Sequence, residues 1–251
     1  MMTISIRRAY PVMIILYFAL TLAGCATTAT LPPEVPAMHS NSEFADDEQI
    51  LANDPMEGYN RSMYKFNYNF DKYFFIPVVD AYEFVLPTFA QTGVTNFFNN
   101  INEGRTFYNS LLQAKGTKAM ITAGRFLTNT TLGIGGLFDP ATSLGMKRQT
   151  EDFGQTLGHY GVGSGSYVVL PILGPSNVRD TTGIIADSAA FSLIGPAAWV
   201  DDTTISMAYA GTAAVDRRHR IRLRYHQTGS PFEYELLRTL YSMKREYDIA
   251  N

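Results

Sequence analysis

Hydrophobic and polar positions divide the chain into an apolar run, a polar stretch and a series of segments with helical spacing. The apolar run, Ala9 to Ala23, follows Arg7 and Arg8 and ends in small residues. That order makes a secretory signal, whereas a membrane-spanning helix needs a longer run and different flanks. Residues 26–53 are rich in Thr, Pro, Ala and acids, show no apolar period, and read as a flexible or extended linker. Order starts at Asp54, which is placed to cap a helix with Pro55 at its first position and Glu57 at its third. Beyond it, Tyr59, Met63, Phe66, Phe70 and Tyr73 recur at helical spacing, and Tyr64, Tyr68 and Phe75 widen the stripe. Tyr64 to Phe70 also alternates with period two, but the cap and the length favour a helix. Rings over so much of one helix predict burial on two sides, or protein on one side and lipid on the other.

Pro77 and Pro87 limit Val78 to Leu86 to a short helix at most. Further helices are predicted over Gln91–Ile101, with Val94, Phe97, Phe98 and Ile101 on one face, and over Thr106–Gln113. A longer one should run from Thr117 to Leu132. Its apolar face holds Met120, Ile121, Phe126 and Leu127, and its other face carries threonines and Asn129. So mild a face suits a channel wall, or a helix partly buried. Gly133, Gly135 and Gly136 end it, where left-handed backbone or close approach is cheap. Tyr167 to Leu170 favours a short strand stopped by Pro171, as part of a hairpin or an irregular glycine-rich segment. Residues 184–199 are apolar, but sixteen helical residues reach only about 24 Å at 1.5 Å each, short of a hydrocarbon core of about 30 Å. Asp187 and Pro196 interrupt them as well. They do not span; lying in one leaflet and burial in the core both stay open. A helix from Thr204 to Arg224 ends in Arg217, Arg218, Arg220, Arg222 and Arg224, and a last one runs from Pro231 to Tyr247. Cations suit a helix C-terminus, but five in eight residues exceed that need and point to anionic headgroups or an acidic partner.

The sole cysteine sharpens the picture. Leu22-Ala23-Gly24-Cys25 resembles the bacterial lipobox, whose cysteine takes a diacylglyceryl group and becomes the first residue after cleavage. The alternatives are a plain signal peptide or an uncleaved anchor. Ala26 rather than Asp after the cysteine goes with release to the outer membrane, and acyl chains tether a protein to one leaflet without spanning it. The organisation expected is therefore a signal over 1–24, a lipidated linker over 25–53, and a single helical domain over 54–251.

Composition excludes whole classes. Of the 251 residues, 46% are hydrophobic, 13% aromatic and only 17% charged, against roughly 25% charged in ordinary soluble domains. Net charge is −3, and loss of Arg7 and Arg8 makes it more acidic, so there is no electrostatic footprint for nucleic acid. Acylation of Cys25 leaves no thiol for disulfides, zinc or nucleophilic chemistry. His39, His159, His219 and His226 show no metal-ligand spacing, and none of the glycine clusters matches a phosphate loop or a nucleophile elbow. The expected protein is no enzyme and carries no metal and no cofactor. One catalytic alternative, a phospholipase or acyltransferase, has His159 with Ser164 or Ser166 as its local candidate. A scaffold or tether that moves no lipid is the other alternative.

Five blocks in order behind the lipobox carry a family likeness: DPMEGYNRSMYKFN (54–67), VTNFFNNI (94–101), NSLLQAK (109–115), GRFLTNTTLGIGGLFDPA (124–141) and EDFGQTLGHYGVGSGSYVVLPILGPSNVRDTTG (151–183). With PFEYELLRTLYSMKREYD (231–248), the chain resembles the MlaA/VacJ outer-membrane lipoproteins of retrograde phospholipid transport. It departs from them before Gly93, where Ala90-Gln91-Thr92 stands in place of an expected arginine, and it lacks the polar tail some members carry. The resemblance implies a mainly α, ring-like bundle of amphipathic helices in one leaflet, on the periplasmic side of the outer membrane, against a trimeric porin. Misplaced outer-leaflet phospholipid would pass through an amphipathic channel to a soluble periplasmic carrier. It further implies that Phe66 and Asn67 belong to a block that gates the channel, and that Gly133, Gly135 and Gly136 form a flexible turn beside the pore.

Overall fold

The structure, a computed structural model, describes residues 54–195, 202–227 and 229–251. The expected signal and linker, Cys25 included, lie outside the described residues. The described chain is mainly helical, with one two-stranded antiparallel hairpin. In chain order come α1 (Glu57–Phe70), a π-helical turn (Asp71–Phe75), α2 (Ile76–Val85), α3 (Thr88–Leu112), α4 (Gly116–Thr131), α5 (Pro140–Ser143) and α6 (Phe153–His159). The hairpin of β1 (Tyr167–Leu170) and β2 (Gly174–Asn177) follows, then α7 (Val178–Ile194), α8 (Thr203–Arg220) and α9 (Glu233–Ala250).

Several boundaries correct the sequence expectation. Pro77 does not end the first helix. It falls in the opening turn of α2, and the π turn ahead of it widens the backbone, Ile76 N–H reaching back to the Asp71 carbonyl, so the proline ring fits without a break. The two helices expected over 91–101 and 106–113 are one, α3, which continues through Gly104. Asp54 does not cap α1. Its carboxylate instead accepts from Asn60 Nδ2 at 2.7 Å, from Arg238 Nη1 at 3.0 Å and from the Tyr234 hydroxyl, tying the start of the domain to α9. Glu233 likewise turns inward, accepting from the Tyr64 hydroxyl at 2.7 Å and from His226 N–H at 2.6 Å. Finally α8 stops at Arg220, short of Arg224, where the Arg218 guanidinium bonds the Ile221 carbonyl at 2.6 Å and the chain turns extended.

Between α2 and α3 the chain bends by 119° at Leu86-Pro87. Gln91, within the stretch where an arginine was expected, spans this corner by donating to the carbonyls of Leu86 at 2.7 Å and Glu83 at 3.3 Å. No single described helix is long and apolar enough to cross a membrane; the bent pair over 57–112 passes that test by length and composition only when taken together.

Polarity is arranged inside out. The apolar core is small, with Tyr64, Tyr167, Val169 and Tyr234 meeting where α1, β1 and α9 converge. Buried polar and charged side chains far outnumber buried hydrophobic ones among the described residues. Helix α4 makes the point. Its polar side (Thr122, Arg125, Asn129) is buried with Ala119, while Met120, Phe126 and Leu127 lie exposed. The mild face expected to line a channel is therefore packed against protein, and the apolar face turns outward. Phe84, Phe89 and Leu193 stand 92%, 79% and 76% exposed. Water penalises such a surface at roughly 25 cal/mol per Å² of apolar area, a penalty that hydrocarbon removes.

Candidate functional site

The structure separates the two residues proposed for a gate. Phe66 is exposed, stacked on Phe70 at 5.9 Å between ring centres, and Phe70 in turn meets Phe74 at 4.9 Å. These rings form a ridge along one side of α1 and its π turn. Asn67, one residue on, is buried and faces the hairpin. Its amide donates to the Leu170 carbonyl at 3.0 Å and accepts from Ile172 N–H at 2.7 Å. Asn60, two turns earlier on the same face, repeats the pattern with the Tyr167 carbonyl at 3.0 Å and Val169 N–H at 2.8 Å. Two side-chain amides thus act as a makeshift strand alongside β1, satisfying backbone groups that would otherwise be buried without partners.

The glycine turn after α4 is held tightly. Gly133, Gly135 and Gly136 donate to the carbonyls of Thr128, Thr130 and Asn129, and Phe138 N–H returns to Gly133 at 2.9 Å. Gly136 has φ +93°, and a Cβ there would stand 2.7 Å from the Asn100 side chain on α3. A Cβ on Gly133 would meet the carbonyl oxygens of Asn129 and Phe138 at 2.4 Å. Only glycine allows this approach.

Under the turn lies a polar network that sequence reading did not single out. Arg125 bonds Glu103 at 2.7 Å, the Met146 carbonyl at 2.6 Å, Thr142 at 3.0 Å and Asp139 at 3.1 Å. Asn129 ties Asp139 to Ala141 N–H. Burial would raise the Asp139 carboxyl, but bonds from Thr142, Arg125 and Asn129 overcome it and hold the group below its usual value. The only sequence signal was an arginine interrupting an otherwise mild helix face.

The five arginines of the basic run have different fates. Arg218 is paired with Asp71 in the π turn, Nη2 to Oδ2 at 2.8 Å. Arg220 pairs with Asp216 at 2.9 Å and with Asn99 at 3.0 Å. Arg217 and Arg222 are exposed and Arg224 half-buried, and among the described residues the side chains of these three make no hydrogen bond or ion pair. The run is thus part scaffold and part open cation. The catalytic alternative gains no geometry: among the described residues no hydrogen bond joins His159 to Ser164 or Ser166, and the Ser164 hydroxyl lies beside the Gly165 carbonyl at 3.5 Å.

The sequence profile of the MlaA lipoprotein family matches residues 52–248. The chain belongs to that family. Similar proteins include the intermembrane phospholipid transport system lipoproteins MlaA of Shigella flexneri and of Escherichia coli K12. Each is 39% identical over 66% of this chain and 61% of its own length. The Haemophilus influenzae lipoprotein of the same name is 36% identical over 66% of both chains. The chain thus spans less than two thirds of the curated relatives it matches. Among solved structures, one described as the structural basis for maintenance of bacterial outer membrane lipid asymmetry superposes with a TM-score of 0.66. It is 32% identical and covers 78% of this chain and 99% of its own. The family match takes in the Asn60–Asn67 ladder, the glycine turn and the arginines together.

Proposed function

We propose that this protein is an outer-membrane lipoprotein that removes mislocalised phospholipid from the outer leaflet and so maintains lipid asymmetry. Acyl chains on Cys25 anchor it at the periplasmic face, and residues 25–53 give the domain its reach. The helical body forms a ring in one leaflet, next to a trimeric porin. Phospholipid passes through its amphipathic channel to a soluble periplasmic carrier. No bond is made or broken in this cycle.

The inside-out polarity supports this reading most directly. A body with Phe84, Phe89, Met120 and Leu193 outside and Arg125, Glu103, Asn109 and Asp187 packed inside suits hydrocarbon around it, and the transport reading adds a hydrated polar route beside these packed groups. A headgroup needs such a route, since drawing a phosphate through hydrocarbon is prohibitive. Family membership and the transport-system names of the relatives point the same way. The test is surface-exposed phospholipid in a strain lacking this protein. Accumulation in the outer leaflet, reversed by the intact gene, is expected; unchanged asymmetry would overturn the assignment.

A further inference from the structure

We propose that Arg105, Arg148 and Arg217, with Arg220 at their edge, form a binding station for the phosphodiester of a glycerophospholipid headgroup. This deepens the transport reading and rests on it.

The four cations come from three segments that other contacts hold together. Arg105 lies on α3, two residues after Glu103, whose carboxylate is fixed to Arg125 at 2.7 Å. Arg125 also holds the Met146 carbonyl at 2.6 Å, two residues before Arg148. On the other side, α8 is fixed to α3 by the Thr95–Asp216 bond and by Arg220 on Asn99 at 3.0 Å. Arg217 is the next residue after Asp216.

Charge in this cluster is unbalanced. Among the described residues, the side chains of Arg105, Arg148 and Arg217 make no hydrogen bond and no ion pair. Three carboxylates lie nearby: Glu103 is held by Arg125 through Oε1 only, Asp216 by Thr95 and Arg220, and Asp152, which feels the charge of Arg105, by Arg245. All four arginines are exposed to solvent. Surrounding protein nevertheless depresses Arg148 below the ordinary arginine value, followed by repulsion from Arg220, Arg125 and Arg105, despite the attraction of Glu103. It depresses Arg217 as well, with repulsion from Arg105 and Arg220 behind it. Arg148 and Arg217 are thus crowded by protein yet reached by water, and close enough to the neighbouring arginines to be repelled by them. Like charges gathered there cost stability until an anion enters, and guanidinium forks match phosphate oxygens.

Exposed apolar side chains on the same three segments favour a lipid as the occupant. Leu111 and Leu112 follow Arg105 on the chain, Leu144 precedes Arg148, and Ile221 and Leu223 follow Arg220; all five are exposed. Free phosphate has no use for them.

The test is a native mass-spectrometry titration of the purified full-length lipoprotein in detergent. The probes are dihexanoyl-phosphatidylglycerol, dihexanoylglycerol (the same chains without phosphate) and inorganic phosphate. Wild type should bind the phospholipid and neither of the others at matched concentration. Arg148→Gln and Arg217→Gln should each weaken it about tenfold, the scale of one charge-assisted hydrogen bond. Arg217→Lys should recover part of the loss, and Lys65→Gln, an exposed lysine on α1, should bind as wild type. Thermal melting checks folding: Arg217→Gln should melt no lower than wild type, because it relieves repulsion. Unchanged affinity in both glutamine variants overturns the station, and binding of inorganic phosphate at the same concentration overturns the lipid assignment. Either result leaves the transport reading to the asymmetry assay, which fails or passes without these variants.

Discussion

Asn67 bridges the hairpin turn, accepting from Ile172 N–H at 2.7 Å while donating to the Leu170 carbonyl at 3.0 Å. Ile172 has φ +66°, an unfavourable backbone for a branched side chain, so this bond holds a strained turn in place. Asn67→Ala should strand both backbone groups at a cost of about 1–3 kcal/mol. A fall in Tm of roughly 2–10 °C in detergent is expected. Phe66→Ala, next in sequence but facing outward, should barely move Tm. If the two variants melt alike, the division of labour between them is wrong.

Gly133, Gly135 and Gly136 should respond differently to alanine. Gly135 has φ +67° and open space, so its variant suffers backbone strain only, about 1 kcal/mol. Gly136→Ala adds a collision with Asn100, and Gly133→Ala drives a methyl into two carbonyl oxygens. Loss of stability should therefore rise from Gly135 to Gly136 to Gly133. Denaturant midpoints rank them directly, and an equal ranking would show the turn to be pliable.

Acid should loosen α9. Arg245 bonds Asp152 at 2.8 and 2.9 Å and Asp180 at 2.8 and 2.9 Å. Burial would raise both carboxyls, yet the bonds and charge of Arg245 hold them below their ordinary value. A depressed carboxyl contributes stability that is complete above its unfolded pKa of about 4 and disappears as pH falls through the lower folded value. Melting temperature should be flat above about pH 5 and drop below about pH 4. Arg245→Met takes the shared cation from half-buried Asp152 and from buried Asp180, which keeps Arg179 at 3.1 Å, a loss of about 1–3 kcal/mol, and should shift the acid transition upward. An acid limb that does not move in this variant would assign it to other groups.

On the proposed lipidation of Cys25, Cys25→Ala should leave the protein out of the outer-membrane fraction. Unchanged fractionation would count against lipidation at this residue.

Much of the fold was legible because periodicity survives packing: the aromatic stripe of α1, the span of α4 and the strand before Pro171 stand where the pattern put them. What the sequence hid were tertiary competitions. Asp54 looks like a cap, but Asn60, Tyr234 and Arg238 outbid the helix N-terminus for its oxygens. Pro77 looks like a break until a π turn makes room for it. The direction of α4 was legible as amphipathic, but not which face would be buried, since a lipid-facing helix reverses the rule for water. Arg105 and Arg148 carry no local signature at all; they matter only because Arg125 and Asp216 draw their segments together.

The sparse apolar core around Tyr64 and Tyr234 has a thermodynamic consequence. Heat capacity rises on unfolding chiefly because greasy surface becomes newly wet, and ordinary domains gain about 12–15 cal/mol/K per residue. Here much of that surface already faces outward in the native state, and opening the molecule chiefly frees polar groups, which lower the heat capacity. Scanning calorimetry should therefore record a smaller increment per residue and a flatter curve of stability against temperature.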